Sequence, residues 1–105
     1  MTLVCIVGPL KDRELPITHA ALTVGREADN HAALEDELVS RYHAEFRQQE
    51  RQCVVRDLGS ANGTWVNGER ISDEKARLRP EDAIYGRYFV IRRGKKDNFL
   101  VRVLS

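Results

Sequence analysis

Apolar and polar residues alternate with a period of two along most of this chain. Between residues 43 and 47, Ala44 and Phe46 fall on one side, whereas His43, Glu45 and Arg47 fall on the other. Such alternation is typical of a strand with one buried face. The remaining short runs are LVCIV, LPIT, ALTV, CVVRDL, TWVN, ARLR, AIYG, YFVIRR and FLVRVL. Turn-forming residues separate them at spacings near about 8–12 residues, so the pattern predicts an all-β, two-sheet sandwich.

One segment departs from this pattern and is a candidate for a short helix. Residues 30–39 read NHAALEDELV, with Asn30 in an N-cap position and good helix formers after it. The apolar positions Ala33, Leu34 and Leu38 make only a thin stripe. A single turn, or a loop with one buried leucine, therefore fits the segment equally well.

The composition is that of one globular domain: 105 residues, of which 42% are hydrophobic and 31% charged. The formal net charge of +1 provides no general attraction to nucleic acid or to a membrane, so an anion site must come from a local cluster. The first seven residues lack the basic region of a signal peptide and are too few to span a membrane. We expect residues 1–105 to form a single cytoplasmic domain. The strand-like end at residues 100–104 suggests that it was cut from a longer protein.

The cysteines and histidines indicate neither a disulfide nor a metal site. Cys5 and Cys53 each lie in an apolar run and are predicted to be buried thiols. His19, His31 and His43 do not have the spacing of metal ligands, so we expect no metal and no cofactor.

Three loops carry unusual groups of hydrogen-bond donors. Gly25-Arg26 ends one predicted strand, residues 40–43 (SRYH) precede the next, and residues 60–64 (SANGT) form a turn. If these loops lie side by side, they bring together two guanidinium groups, a hydroxyl, a carboxamide and turn amides. Each of these groups can donate a hydrogen bond, and such a set complements an oxyanion; two arginines suit a doubly charged one such as phosphate.

The ordered set GR, SRYHAEF, DLGSANGTWVNG, I and LRPEDAIYG resembles the forkhead-associated (FHA) domain family from about residue 22 to residue 86. Each element is weak alone, but the set in this order is specific. The resemblance implies an FHA/SMAD-like sandwich of about eleven short, mostly antiparallel strands. It also implies a non-enzymatic, phosphothreonine-dependent binding module in kinase-regulated signalling. The implied partners are a phosphothreonine-containing protein and a serine/threonine kinase or its substrate.

The resemblance assigns roles to particular side chains. Arg26, Ser40 and Arg41 would contact the phosphate, and Asn62 would hydrogen-bond the ligand backbone. Ala61 stands where many members carry a hydroxyl residue, so a main-chain amide would replace one contact.

Four further residues would support the site. Gly25 precedes Arg26, His43 would tie the Ser40 loop to its neighbours, and Gly63 and Thr64 would shape the loop that presents Asn62. The second Asn-Gly pair, residues 67–68, is predicted to be a plain hairpin turn. Glu81-Asp82 departs from the family's usual Gly-Asp, and we expect that turn to be rebuilt.

The same residues allow three other interpretations. One is a domain of this fold that binds proteins through another face, without phosphate. A nucleic-acid site at residues 92–96 (RRGKK) is a weaker alternative. A Ser40–His43 hydrolase is disfavoured because no Gly-x-Ser-x-Gly elbow surrounds the serine.

Overall fold

A computed structural model describes residues 1–6, 10–71, 75–78, 87–93 and 98–104 of this chain. Within these ranges the regular secondary structure consists of eleven short β-strands. The strands are β1 (Thr2–Cys5), β2 (Glu14–Pro16), β3 (Leu22–Gly25), β4 (Ala32–Ala33), β5 (Ala44–Gln49), β6 (Gln52–Asp57), β7 (Trp65–Val66), β8 (Glu69–Arg70), β9 (Lys75–Leu78), β10 (Arg87–Arg93) and β11 (Asn98–Leu104). The predicted all-β architecture is confirmed.

The strands form two sheets. The six-stranded sheet has the order β2-β1-β11-β10-β7-β8, and the five-stranded sheet has the order β4-β3-β5-β6-β9. Among the described pairs, only β3 and β4 are parallel. Apolar residues from both sheets form one core, which is the arrangement of a sandwich.

The period-two alternation sets the two faces of the five-stranded sheet. On β5, Ala44 and Phe46 are fully buried, while the side chains of Glu45 and Arg47 point outward, as predicted. Burial of a side chain as large as that of Phe46 contributes about 1.5–3 kcal/mol. The placement of His43 on the outer face is wrong, because regular pairing begins only at Ala44. His43 lies in the preceding loop and is only 1% exposed.

Residues 30–39 form no helix. Ala32 and Ala33 make the two-residue strand β4, and the chain then turns at residues 37–38. Leu34 and Val39 are buried. They are five residues apart, which is a poor match to the repeat of a helix face. The loop alternative is therefore the correct one.

Cys5 and Cys53 are both buried and free, as predicted. Burial raises the pKa of Cys53 to about 12, so its thiol stays protonated. The described residues include no helix long and apolar enough to cross a membrane. The predicted turn at Glu81-Asp82, the run at residues 83–86 and residues 94–96 of the basic segment lie outside the described residues.

The strand register brings three loops to one end of the five-stranded sheet. Ala44 pairs with Val24 on β3 and with Asp57 on β6. Because both pairings are antiparallel, the end of β3, the start of β5 and the end of β6 lie side by side. We call the loops at this end the rim: residues 25–31, 34–43 and 58–64.

Candidate functional site

Hydrogen bonds join the three rim loops directly. The main-chain N–H of Arg26 donates to the carbonyl of Ser40 over 3.0 Å. The N–H of Ala61 donates to Ser40 Oγ over 2.9 Å, and Asn62 Nδ2 donates to the carbonyl of Leu38 over 2.9 Å. The structure therefore brings the loops of Arg26, Ser40 and Asn62 together, which is the condition for a shared anion site.

The Ser40 hydroxyl is held with its proton available. A hydroxyl has one donor and two acceptor positions. Because Ser40 Oγ accepts from Ala61, one acceptor position is filled and the O–H is left to donate to a ligand oxygen. The amide of Ala61, expected to replace a hydroxyl contact, thus already supports Ser40.

The two arginines at the rim are both exposed. Arg41 Nε lies 3.9 Å from Glu27 Oε1, and their side chains are 73% and 49% exposed. An ion pair this open contributes only about 0–1 kcal/mol. Arg41 can therefore leave Glu27 for a more highly charged anion at little cost.

Gly25 allows the β3 end to approach the Ser40 loop. A Cβ atom at this position would lie 2.2 Å from the carbonyl oxygen of Arg41 and 2.8 Å from Asn30 Nδ2. The carbonyl belongs to the backbone, so any larger residue must push the loop away. Gly25 is thus required by close packing beneath Arg26 and Arg41.

Asn30, predicted as a possible helix cap, instead holds two rim segments together. Its Nδ2 donates to the carbonyls of Arg41, over 2.8 Å, and Glu27, over 2.9 Å. Only 7% of Asn30 is exposed. Next to it, the hydroxyl of Tyr42 donates to the carboxylate of Asp29, and this bond raises the pKa of Tyr42. These contacts fix the loop after β3 against the loop before β5.

His43 joins two rim loops from below. Its Nδ1 accepts from the N–H of Ser40 over 3.1 Å, so Nε2 carries the proton and donates to the carbonyl of Gly63 over 2.8 Å. Burial lowers the pKa of His43, although the bond to Gly63 opposes the shift. The neutral ring therefore connects the Ser40 loop to the Asn62 loop through main-chain atoms.

Asp57 organises the third loop and was not singled out from the sequence. Its carboxylate accepts from the amides of Gly59 and Ser60 and from the hydroxyls of Ser60 and Thr64. Burial acts to raise the pKa of Asp57, but these hydrogen bonds outweigh it and the pKa lies below its ordinary value. The sequence signal was present, since Asp followed by Gly and Ser at the second and third positions is typical of an Asx-turn.

The two Asn-Gly pairs have different conformations. In the first, only Gly63 has a positive φ, of 90°. In the second, Asn67 and Gly68 both do, at 49° and 87°, between β7 and β8. The predicted hairpin turn at residues 67–68 is confirmed. Trp65, predicted to pack in the sheet, lies half-buried in β7, and its Nε1 donates to the carbonyl of Asn62 over 3.3 Å.

The rim thus presents groups that suit an anion. The residues predicted to bind are all in its three loops, and the residues predicted to support them touch the same loops. The predicted binding residues are Arg26, Ser40, Arg41, Ala61 and Asn62. Among the described residues, no group of three His, Cys, Asp or Glu side chains is arranged to hold a metal ion.

Comparison with known proteins identifies relatives of this chain. Residues 22–85 match the family model of the FHA domain. A protein of Corynebacterium diphtheriae named oxoglutarate dehydrogenase inhibitor is 40% identical over 67 residues, which cover 64% of this chain and 47% of that protein. The chain therefore spans less than half the length of this curated relative.

Two solved structures share the fold. One belongs to a study of phosphothreonine-dependent FHA domain interactions: TM-score 0.67, 25% identity, with 99% of this chain and 96% of that chain covered. The other is Mycobacterium tuberculosis EmbR in complex with a low-affinity phosphopeptide: TM-score 0.68, 30% identity, with 95% of this chain but 23% of that chain covered.

Proposed function

The chain belongs to the FHA domain family, and we propose that it is a phosphothreonine-dependent binding module whose site is the rim. The observation that carries this proposal is the Ser40 hydroxyl, which is supported by the Ala61 amide and leaves its proton for an incoming oxyanion. The arginines on either side supply the charge that a phosphate dianion requires.

The proposed roles follow the contacts at the rim. Arg26 and Arg41 bind phosphate oxygens, and Ser40 donates to a third. Asn62, whose side chain is held by the carbonyl of Leu38, hydrogen-bonds the main chain of the peptide. Gly25, His43, Gly63 and Thr64 hold these groups in place.

Simple energetics make this a reversible contact. Each charge-assisted hydrogen bond contributes roughly 1.5–3 kcal/mol, so four of them, one from Ser40 and three from the two arginines, contribute on the order of 6–12 kcal/mol. Ordering the peptide and losing its free motion offset several kcal/mol of this. The remainder corresponds to a Kd of about 0.1–100 μM.

We propose binding rather than catalysis. Both ring nitrogens of His43 are engaged with main-chain groups, so neither is left to accept from the Ser40 hydroxyl. The geometry that a serine nucleophile needs, a hydroxyl donating to a histidine, is therefore not the one observed. The single-domain assignment of residues 1–105 and the cytoplasmic location stay predictions.

The test is titration calorimetry with a peptide selected from a degenerate phosphothreonine library. We expect Arg26→Ala to weaken binding by about 2–4 kcal/mol, roughly 30- to 1000-fold, and Ser40→Ala by about 1–2 kcal/mol. Arg51→Ala, in the β5–β6 turn at the opposite end of the sheet, is the matched control and should bind like the original chain. The unphosphorylated peptide should not bind measurably. Unchanged affinity of Arg26→Ala, or equal binding of both peptides, would overturn the proposal.

A further inference from the structure

Four arginines form a second cationic surface on strands β5, β6, β8 and β9. Arg47 and Arg56 line one open pocket, of about 150 Å³, on the outer face of β5 and β6. Arg70 and Arg77 line another, of about 260 Å³, between the β7–β8 hairpin and β9. We call these four residues the arginine surface.

The strand register makes this surface continuous. Val54 lies opposite Arg47 on one side and opposite Arg77 on the other. Adjacent strands are about 4.8 Å apart, so the two arginines flank Val54 at about 10 Å from each other. Val54 is itself only 6% exposed, which fits a floor covered by the stems of long side chains.

Arg70 extends the arginine surface to the loop that contains Asn62. A Cβ atom on Gly63 would lie 2.6 Å from Arg70 Nε, so the guanidinium packs directly on that glycine. Val66, Ile71 and Leu78 are apolar residues that line the pocket beside it. Each pocket therefore combines guanidinium donors with some apolar side chains.

The balance of charged side chains in the two pockets indicates which class of partner can bind there. The four arginines share the pockets with two carboxylates, Glu45 and Glu69, which leaves a local excess of positive charge. Glu45 Oε1 lies 3.4 Å from Arg47 Nε. This small excess suits a short acidic segment of a polypeptide, whereas a nucleic-acid site needs enough Lys and Arg side chains to neutralise an unbroken line of phosphates.

The lining of the pockets also favours a protein partner over a nucleic acid. Single-stranded nucleic acids are bound through aromatic platforms, and neither pocket has an aromatic lining residue among those described. Arginine forks match carboxylates in a bidentate geometry. We propose that the arginine surface is a second docking site, which binds an acidic segment of a partner protein without phosphate.

The experiment is an NMR titration of the 15N-labelled chain with a twelve-residue oligoglutamate peptide. Amide shifts should move on β5, β6 and β9 and at residues 66–71, and the apparent Kd should rise as salt is added. Arg26→Ala should bind the peptide as the original chain does, which separates this surface from the rim. Shifts confined to residues 25–31, 34–43 and 58–64 would overturn the proposal, as would tighter binding of a twelve-nucleotide single-stranded DNA.

Charge reversal provides the second arm. Arg47→Glu with Arg77→Glu should weaken oligoglutamate binding at least tenfold and leave phosphopeptide affinity within about twofold. Arg13→Glu with Arg51→Glu changes the net charge equally at other exposed positions and should retain oligoglutamate binding. An equal loss in both double variants would refute a localised site.

A variant that is expected to bind more tightly provides a further test, because a folding defect cannot explain a gain in affinity. Glu45→Gln with Glu69→Gln should tighten oligoglutamate binding by about two- to fivefold, because the two carboxylates in the pockets are neutralised. Unchanged or weaker binding of this variant would also refute the proposed surface.

Discussion

Replacing His43 by phenylalanine tests whether the rim is held together by one buried imidazole. Phenylalanine fills a similar volume but can neither accept from the N–H of Ser40 nor donate to the carbonyl of Gly63. Each main-chain group left without a partner costs about 1–3 kcal/mol. With two such groups, we expect the free energy of unfolding to fall by about 2–6 kcal/mol. Phosphopeptide affinity should fall as well, because the Ser40 and Asn62 loops lose their link.

The same substitution should change how stability depends on pH. The pKa of His43 is lowered in the folded chain, so below the unfolded value of about 6.5 the unfolded state binds a proton that the folded state does not. The free energy of unfolding therefore has its full value above that pH, and it falls as the pH drops towards the folded pKa. The slope is at most about 1.4 kcal/mol per pH unit. The phenylalanine variant should lack this dependence.

Urea unfolding followed by circular dichroism between pH 5 and 8 measures both effects. His19→Phe, at an exposed position, is the control for introducing a phenylalanine and should lower stability at neutral pH less than His43→Phe does. A His43→Phe variant within about 0.5 kcal/mol of the original chain, or one with an unchanged pH slope, would show that the imidazole does not hold the rim.

Three further substitutions follow from the geometry. Asp57→Asn should lower stability by about 2–4 kcal/mol at neutral pH in urea titrations, since four donors face a carboxylate there; a loss below about 1 kcal/mol would contradict this. Glu27→Gln should tighten phosphopeptide binding up to about fivefold in calorimetry by releasing Arg41, and weaker binding would refute the proposed competition. Glu50→Asn with Arg51→Gly should raise stability by about 1 kcal/mol, measured as a Tm increase of about 4–8 °C, because both residues have positive φ; a lower Tm would argue against relief of strain.

The sequence patterns predicted those parts of the fold whose geometry is set by residues close together in sequence. The alternation around Ala44 and Phe46 gave the buried face of β5, and Asn67-Gly68 gave the hairpin turn, because in both cases neighbouring residues set the geometry. The candidate site followed from hydrogen-bond donors in three loops that adjoin predicted strands. The prediction that the three loops lie together came from the resemblance to the FHA family. Local patterns alone do not show that β3, β5 and β6 are neighbours.

Other features depend on partners distant in sequence, and local patterns missed them. Asn30 looked like a helix cap, yet its side chain bonds the carbonyl of Arg41, eleven positions away. The β5–β6 turn uses Glu50 and Arg51 at positive φ, and neither residue type favours that conformation. Strand pairing on both sides imposes the turn there, so tertiary structure overrides local preference.

The bond from the indole of Trp65 to the carbonyl of Asn62 has a practical consequence. This is the only tryptophan in the chain, and it touches the residue that we expect to contact a ligand main chain. Its emission is therefore a built-in optical reporter of that loop. Association rates can be followed in a stopped-flow instrument on unlabelled protein, without a dye attached near the recognition surface.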